Sequence, residues 1–202
     1  MKRELFIESL RVEEGHFQNS GRHYRRITDT LRECFGKDAV NPCPFPEDAM
    51  VPDDMRRGIV KCRYVYGLHD CKIGYQMYVP RRIRTLRLVE GGSIDYHLKY
   101  ADRSGLLALR EQRGDCDDIL IVKNGELTDT SYSNIVLFDG RRYVTPRAFL
   151  LNGIRRRSLL DRGAIEEQKI TPQDLRYFQR LYLVNALLGI EDGICLEPAD
   201  VF

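Results

Sequence analysis

The chain has 202 residues, enough for one large domain or two small ones, and is 43% hydrophobic and 31% charged. That composition supports a buried core and excludes a disordered chain. Lys+Arg 32 against Asp+Glu 30 is too balanced for a general nucleic-acid binder, and no apolar run is long enough to span a membrane.

Leu5 to Val12 alternates apolar and polar residues and predicts a strand ended by Glu13-Glu14-Gly15. Ser20 is placed to cap a following helix, in which Tyr24, Ile27, Leu31 and Cys34/Phe35 line one face and Gly36 stops the chain. His23, Arg26 and Thr30 occupy another stripe of that helix, where charge ordinarily faces solvent. Residues 41–57 hold Pro42, Pro44, Pro46 and Pro52 and predict an irregular connection with at most a short helix. Strands are expected at Val60–Tyr66 and Lys72–Val79, with Pro80 closing the second. The basic run at Arg81, Arg82 and Arg84 leads into a strand at Thr85–Val89. Arg84 and Arg87 are most simply solvated, although they could present positive charge to an acidic substrate.

The six cysteines contain no C-x-x-C pair. Cys43, Cys62, His69 and Cys71 fit no common zinc spacing, so no metal is expected. Nothing at the start reads as a signal peptide. The default is a reduced, cytoplasmic enzyme or binding protein.

From Tyr100 a helix is expected, with Leu106, Leu107, Ala108 and Leu109 in it and Gly114 beyond its end. Lys99 stands where the preceding extended segment meets that helix, and alone would pass for a surface lysine. An apolar run, Ile119–Val122, then reaches Asn124-Gly125, a strong hairpin signal because both residues tolerate positive φ. The returning strand carries Asp129 among the hydroxyls of Thr128, Thr130, Ser131, Tyr132 and Ser133. Apolar residues resume at Ile135–Phe138, so the carboxylate lies between buried segments and needs a partner. Its simplest reading is a capped local bend. A strand ending at Tyr143–Pro146 precedes a helix over Ile154–Asp161, whose first free N–H groups, near Ile154 and Arg155, suit a phosphate. A short strand at Ala164–Ile170, a helix start at Thr171-Pro172, and a buried strand at Leu181–Ala186 complete the chain.

In collinear order these pieces resemble the fold-type IV pyridoxal-phosphate-dependent enzymes (aminotransferase class IV). Phe6-x-Glu8 resembles the family's early F-E-T strand, and His23-Tyr-Arg-Arg26 its H-x-x-R. Leu98–Arg103 looks like its lysine segment, and Gly125–Asn134 its G-x-x-T-E-x-x-x-x-N. Thr145-Pro146 with Leu151–Arg156 resembles its T-P … L-P-G-I-x-R. The lyase branch is favoured by Asn152-Gly153-Ile154, by Asn185-Ala186-Leu187, and by the Lys99–Arg103 spacing.

The resemblance implies an α/β (α+β) fold like that of D-amino acid aminotransferase, trimmed at its N-terminus. A small domain over 1–82 and a larger one over 83–202 would flank the cofactor, pyridoxal 5′-phosphate. It implies Lys99 as the catalytic amine, Asp129 as the anion facing the ring nitrogen, and a phosphate site at Arg26, Ile154, Arg155 and the Ala186 backbone. Arg84, Arg87 and Arg103 are candidates for substrate carboxylates. The implied function is conversion of 4-amino-4-deoxychorismate to 4-aminobenzoate and pyruvate in folate biosynthesis, by a homodimer. The alternatives are a class IV aminotransferase acting on a branched-chain or D-amino acid, and a non-catalytic relative. Where the family usually carries glutamate this chain has Asp129, one methylene shorter.

Overall fold

The computed structural model describes residues 4–202. The chain divides into two compact units, one running up to Val79 and including Leu98–Asp102, the other comprising Pro80–His97 and Arg103–Phe202. Strands and helices in both give the mixed architecture expected.

The first unit contains β1 (Phe6–Glu13), β2 (His16–Phe17), α1 (Ser20–Phe35), β3 (Ile59–Tyr66) and β4 (Cys71–Met77). Its antiparallel sheet has the order β2-β1-β3-β4. Phe6, Glu8, Leu10 and Val12 alternate along β1 and therefore share a face; all four are completely buried. Phe6 and Leu10 join Ile27 and Leu31 of α1 and Tyr64 and Tyr66 of β3 in one core. Burying each large apolar side chain there contributes about 1.5–3 kcal/mol. The helix spans the predicted residues, but Asn19 rather than Ser20 is its cap. Asn19 adopts φ 56, a conformation asparagine tolerates, and its carbonyl accepts from the Arg22 and His23 amides. The α1 stripe expected to face solvent is instead buried: His23, Arg26 and Thr30 all point inward. Between α1 and β3 the chain makes only 3-10 turns, at Asp48–Met50 and Asp53–Met55.

Leu98–Asp102 joins this unit through backbone pairing. Ile7 N–H donates to the Lys99 carbonyl (2.9 Å), Ala101 N–H donates to that of Leu5 (2.8 Å), and Phe6 bridges Tyr100. The helix expected from Tyr100 consequently starts only at Ser104, because the backbone before it is held in this extended pairing. The reduced state expected of the cysteines does not hold throughout. Cys43 and Cys71 form a disulfide across a sequence separation of 28, because the irregular segment lays Cys43 against the start of β4, with the Cα atoms 6.2 Å apart.

The second unit contains β5 (Leu86–Glu90), α2 (Ser104–Arg110), β6 (Asp118–Lys123), β7 (Glu126–Thr130), β8 (Asn134–Phe138), β9 (Tyr143–Pro146), α3 (Ile154–Asp161), β10 (Glu166–Gln168), β11 (Arg180–Val184) and β12 (Cys195–Leu196). The strands run in the order β10-β9-β8-β7-β6-β5, with β11 pairing β8 and β12 pairing β11. β5 and β6 are parallel, as are β9 and β10. The predicted β6–β7 hairpin turns at Asn124 (φ 53) and Gly125 (φ 74), as a type I′ turn requires. Leu120, Leu127, Ile135, Leu137, Leu181 and Leu183 form its core. The helix start at Thr171-Pro172 becomes a 3-10 segment, Pro172–Tyr177, with the Thr171 hydroxyl and amide both on Asp174. Among the described residues no helix is long and apolar enough to cross a membrane, and no cluster of His, Cys, Asp and Glu could hold a metal.

Candidate active site

In the first unit, Glu8 is an acid set in an apolar row, and its carboxylate is fully engaged. Oε1 accepts from Arg26 Nε (2.7 Å) and Oε2 from Arg26 Nη2 (2.5 Å) and His23 Nδ1 (2.6 Å). The spacing of His23 and Arg26, three residues apart on α1, puts both over the same point of β1. Burial alone would push the Glu8 carboxyl up; the Arg26 charge and His23 overcome it and hold it at about 2. Burial also lowers His23, against the opposing pull of Glu8. The histidine is then neutral, with Nδ1–H donating, and its buried Nε2 has no hydrogen-bond partner. Lys99 is half-buried, and its carbonyl is tied to Ile7, the residue before Glu8. One strand therefore sets the position of both the arginine and the lysine backbone.

In the second unit, Asp129 is 6% exposed and sits opposite Asn134 in the β7–β8 register. Its Oδ1 accepts from Asn134 Nδ2 (2.9 Å), and its Oδ2 from the amides of Leu151 (2.9 Å) and Leu150 (3.2 Å). Burial pushes the carboxyl up to about 6, opposed by those donors and by the Arg156 charge. The threonine hydroxyls beside it hold backbone, and the Ser131 hydroxyl holds a side chain. Thr130 Oγ1 closes the turn by accepting from Ser133 N–H, Thr128 Oγ1 donates to the Ile121 carbonyl, and Ser131 Oγ donates to Asp118.

Gly153 precedes α3 and admits no side chain: a Cβ there would lie 2.0 Å from Asn134 Oδ1. The amides of Ile154 and Arg155 open the helix, where no intrahelical acceptor exists for them. Arg155 Nη1 lies 3.2 Å from Glu191 Oε1, while its buried Nε has no hydrogen-bond partner. Ala186 lies in the tight turn after β11, closed by Asn185 N–H to the Leu188 carbonyl and its reciprocal bond. Asn185 Nδ2 donates to Ser133 Oγ, which links that turn to the Asp129 loop.

Of the arginines considered for substrate, Arg103 donates from Nη2 to the Ser131 carbonyl (2.6 Å), two residues from Asp129. Arg84 and Arg87 are exposed, and the backbone amide of Arg84 donates to Asp117. Sequence reasoning had not paired Glu8 and His23 with Arg26, nor assigned roles to Asn134, Arg156, or the amides of Leu150 and Leu151. An acid inside a buried alternating strand was the available sign for Glu8. Backbone amides carry no such sign.

These residues suit pyridoxal phosphate. The buried guanidinium of the first unit, and separately the helix start of the second unit, whose amides lack intrahelical acceptors, each suit an anion such as a phosphate. A buried carboxylate gripped by three donors matches a protonated ring nitrogen.

The family model for amino-transferase class IV matches residues 97–191. An uncharacterized protein of Haemophilus influenzae is 36% identical over 184 residues, covering 91% of this chain and 98% of its own. A Haemophilus somnus protein provisionally named as a 4-amino-4-deoxychorismate lyase has a similar structure, with TM-score 0.81 and 29% identity over 94% of this chain and 98% of its own. A Mesorhizobium loti protein provisionally named as an amino-acid aminotransferase gives TM-score 0.76 and 24% identity over 92% of this chain and 96% of its own. At that identity the likeness speaks for the fold alone.

Proposed function

Since this chain belongs to the class IV aminotransferase family of pyridoxal-phosphate-dependent enzymes, we propose that it is a lyase converting 4-amino-4-deoxychorismate to 4-aminobenzoate and pyruvate. The observation that carries the choice is the near end-to-end likeness to the Haemophilus somnus protein. The Asn152-Gly153-Ile154 and Asn185-Ala186-Leu187 strings and the Lys99–Arg103 spacing support it.

Bound pyridoxal phosphate supplies an aldehyde for an amine and a ring that accepts the electrons of a carbanion. Lys99 is assigned to the aldehyde carbon, and Asp129 to the ring nitrogen. Arg26, the amides of Ile154 and Arg155, and the Ala186 backbone are assigned to the phosphate. Asp129 keeps the ring nitrogen protonated by presenting a charge already oriented by three donors, so no reorganisation is needed during reaction. The Lys99 amine takes the proton from the substrate carbon that bears nitrogen and returns one to the departing enolpyruvyl group. Formation of the aromatic ring then drives release. The substrate's two carboxylates fall to Arg103, Arg84 and Arg87. In this reading the enzyme works as a cytoplasmic homodimer, serving folate biosynthesis.

The test is an absorption spectrum with added pyridoxal phosphate, then borohydride reduction and peptide mapping. A yellow band converted to a reduced adduct on Lys99 is expected, with pyruvate released from aminodeoxychorismate. Amino transfer without pyruvate release would replace the lyase reading by the aminotransferase one, which the family description favours. An adduct spread over surface lysines would overturn both.

A further inference from the structure

Arg156 is the largest of the fully buried side chains, at 1% exposure, and neither the phosphate nor the proton chemistry assigned above uses it. It projects from the first turn of α3. Nη2 donates to the Pro146 carbonyl (2.9 Å) and to Glu167 Oε1 (2.6 Å), and Nη1 donates to Asn152 Oδ1 (3.2 Å). The guanidinium lies 4.7 Å from the centre of the Phe149 ring. All these partners except Glu167 belong to one stretch, Pro146–Asn152, which joins β9 to α3 and has no regular secondary structure after Pro146.

That stretch also carries the Leu150 and Leu151 amides that hold Asp129. The sheet ladder reaches this stretch only as far as Arg147, whose N–H donates to the Gln168 carbonyl (2.9 Å), and the irregular backbone beyond it needs other partners to hold it in place. The planar fork of Arg156 supplies them, donating to acceptors in several directions at once. A lysine at the same place keeps the charge but lacks the fork.

We propose that Arg156 is a positioning residue for Asp129: by pinning Pro146–Asn152 it keeps two amides on the carboxylate, and so keeps Asp129 anionic at neutral pH. The groups facing Asp129 are Asn134 from β8, the two amides from the connecting stretch, and Arg156 from α3; of these Arg156 alone is charged. The inference rests on the reading of Asp129 as the anion at the ring nitrogen, yet its effect exists in the cofactor-free protein and is measured there.

The experiment is a pH titration of the Asp129 carboxyl carbon by NMR, in cofactor-free protein labelled with [13C]aspartate and assigned through D129N. The wild-type midpoint is expected at about 6. In R156K it moves up by about one pH unit, the scale on which loss of hydrogen bonds acts on a carboxylate. N152A removes only one acceptor from a half-buried side chain; it moves the midpoint up by less and decides the matter if R156K does not fold. A midpoint unmoved in folded R156K, or in folded N152A, overturns the proposal. The assignment of Asp129 to the ring nitrogen fails separately, if D129N still gives the cofactor band with its wild-type pH dependence.

Discussion

Glu8 and Arg26 meet side-on within the first unit, both carboxylate oxygens accepting from two different guanidinium nitrogens, at 2.7 and 2.5 Å. Such a fork-to-fork pair is strong and directional, and its burial makes either partner costly to lose. Replacing Glu8 by Gln leaves the arginine charge buried without its counter-ion, and destabilises the protein by about 3–5 kcal/mol. Denaturant unfolding of E8Q measures the loss. In the folded fraction, pyridoxal phosphate binding weakens more than binding of phosphate-free pyridoxal, since the phosphate is the group Arg26 would receive. Equal weakening of both would separate Glu8 from phosphate recognition.

The same carboxyl sets an acid limit. Its folded value of about 2 lies below its ordinary value of 4.5. Stability from it is therefore fully present above about pH 4.5 and is lost as pH falls towards 2. The loss is on the order of 3 kcal/mol. Unfolding midpoints between pH 6 and pH 2.5 record it, and E8Q removes this component of the slope.

Asp129 contributes with the opposite sign. Its folded value of about 6 lies above its ordinary 3.8, so the folded state binds the proton more tightly than the unfolded chain does. Its contribution is present below about pH 3.8 and is lost as pH rises through 6. The cofactor-free D129N protein lacks that decline between pH 4 and pH 7. The same variant slows turnover about 10²-fold or more, the scale of losing one preorganised charge at a reacting group. A turnover rate unchanged in D129N would remove Asp129 from the chemistry.

Gly153→Ala forces a contact of 2.0 Å with Asn134 Oδ1. Asn134 also donates to Asp129 and to the Leu151 carbonyl, so it has little room to yield. Overpacking of this kind costs about 1–3 kcal/mol. Thermal unfolding measures that cost, and the cofactor band of G153A is expected to be weaker at equal protein concentration.

The Cys43–Cys71 bridge closes a separation of 28 residues. By loop-closure entropy it stabilises by about 2–4 kcal/mol. C71S and C43S are expected to lower the unfolding midpoint alike, and a reductant is expected to lower the wild type to the same value. Thiol counting on the non-reduced protein should find Cys34, Cys62, Cys116 and Cys195 as the reactive set after unfolding.

The elements that the sequence made legible were those with local causes. Helix α1 followed from the spacing of Ile27 and Leu31 and from Gly36, although Tyr24, expected on the same face, is exposed; the β6–β7 hairpin followed from Asn124-Gly125. Errors came where distant backbone decided. The segment at Lys99 and Tyr100 reads as the start of a helix, but Leu5 and Ile7 hold it extended. The predicted strand over Ala164–Ile170 shrinks to Glu166–Gln168, because only those residues find β9 beside them. Arg26 looks solvated by its helix stripe alone, since the acid that buries it lies 18 residues earlier in the chain. For Asp129 the need for partners was plain from its surroundings, whereas their identity lay in main-chain amides that any residue type supplies.

Strand β1 has one further consequence, for errors in assembly. Its eight residues pair one-to-one with β3, and a slip of a single place would turn Glu8 to the opposite face. The same slip would move the Ile7 amide away from the Lys99 carbonyl. A misregistered molecule would thus lose the anchored arginine and the seated lysine together. Such molecules would be silent, and would not persist as half-competent enzymes reacting with whatever amine or aldehyde came near.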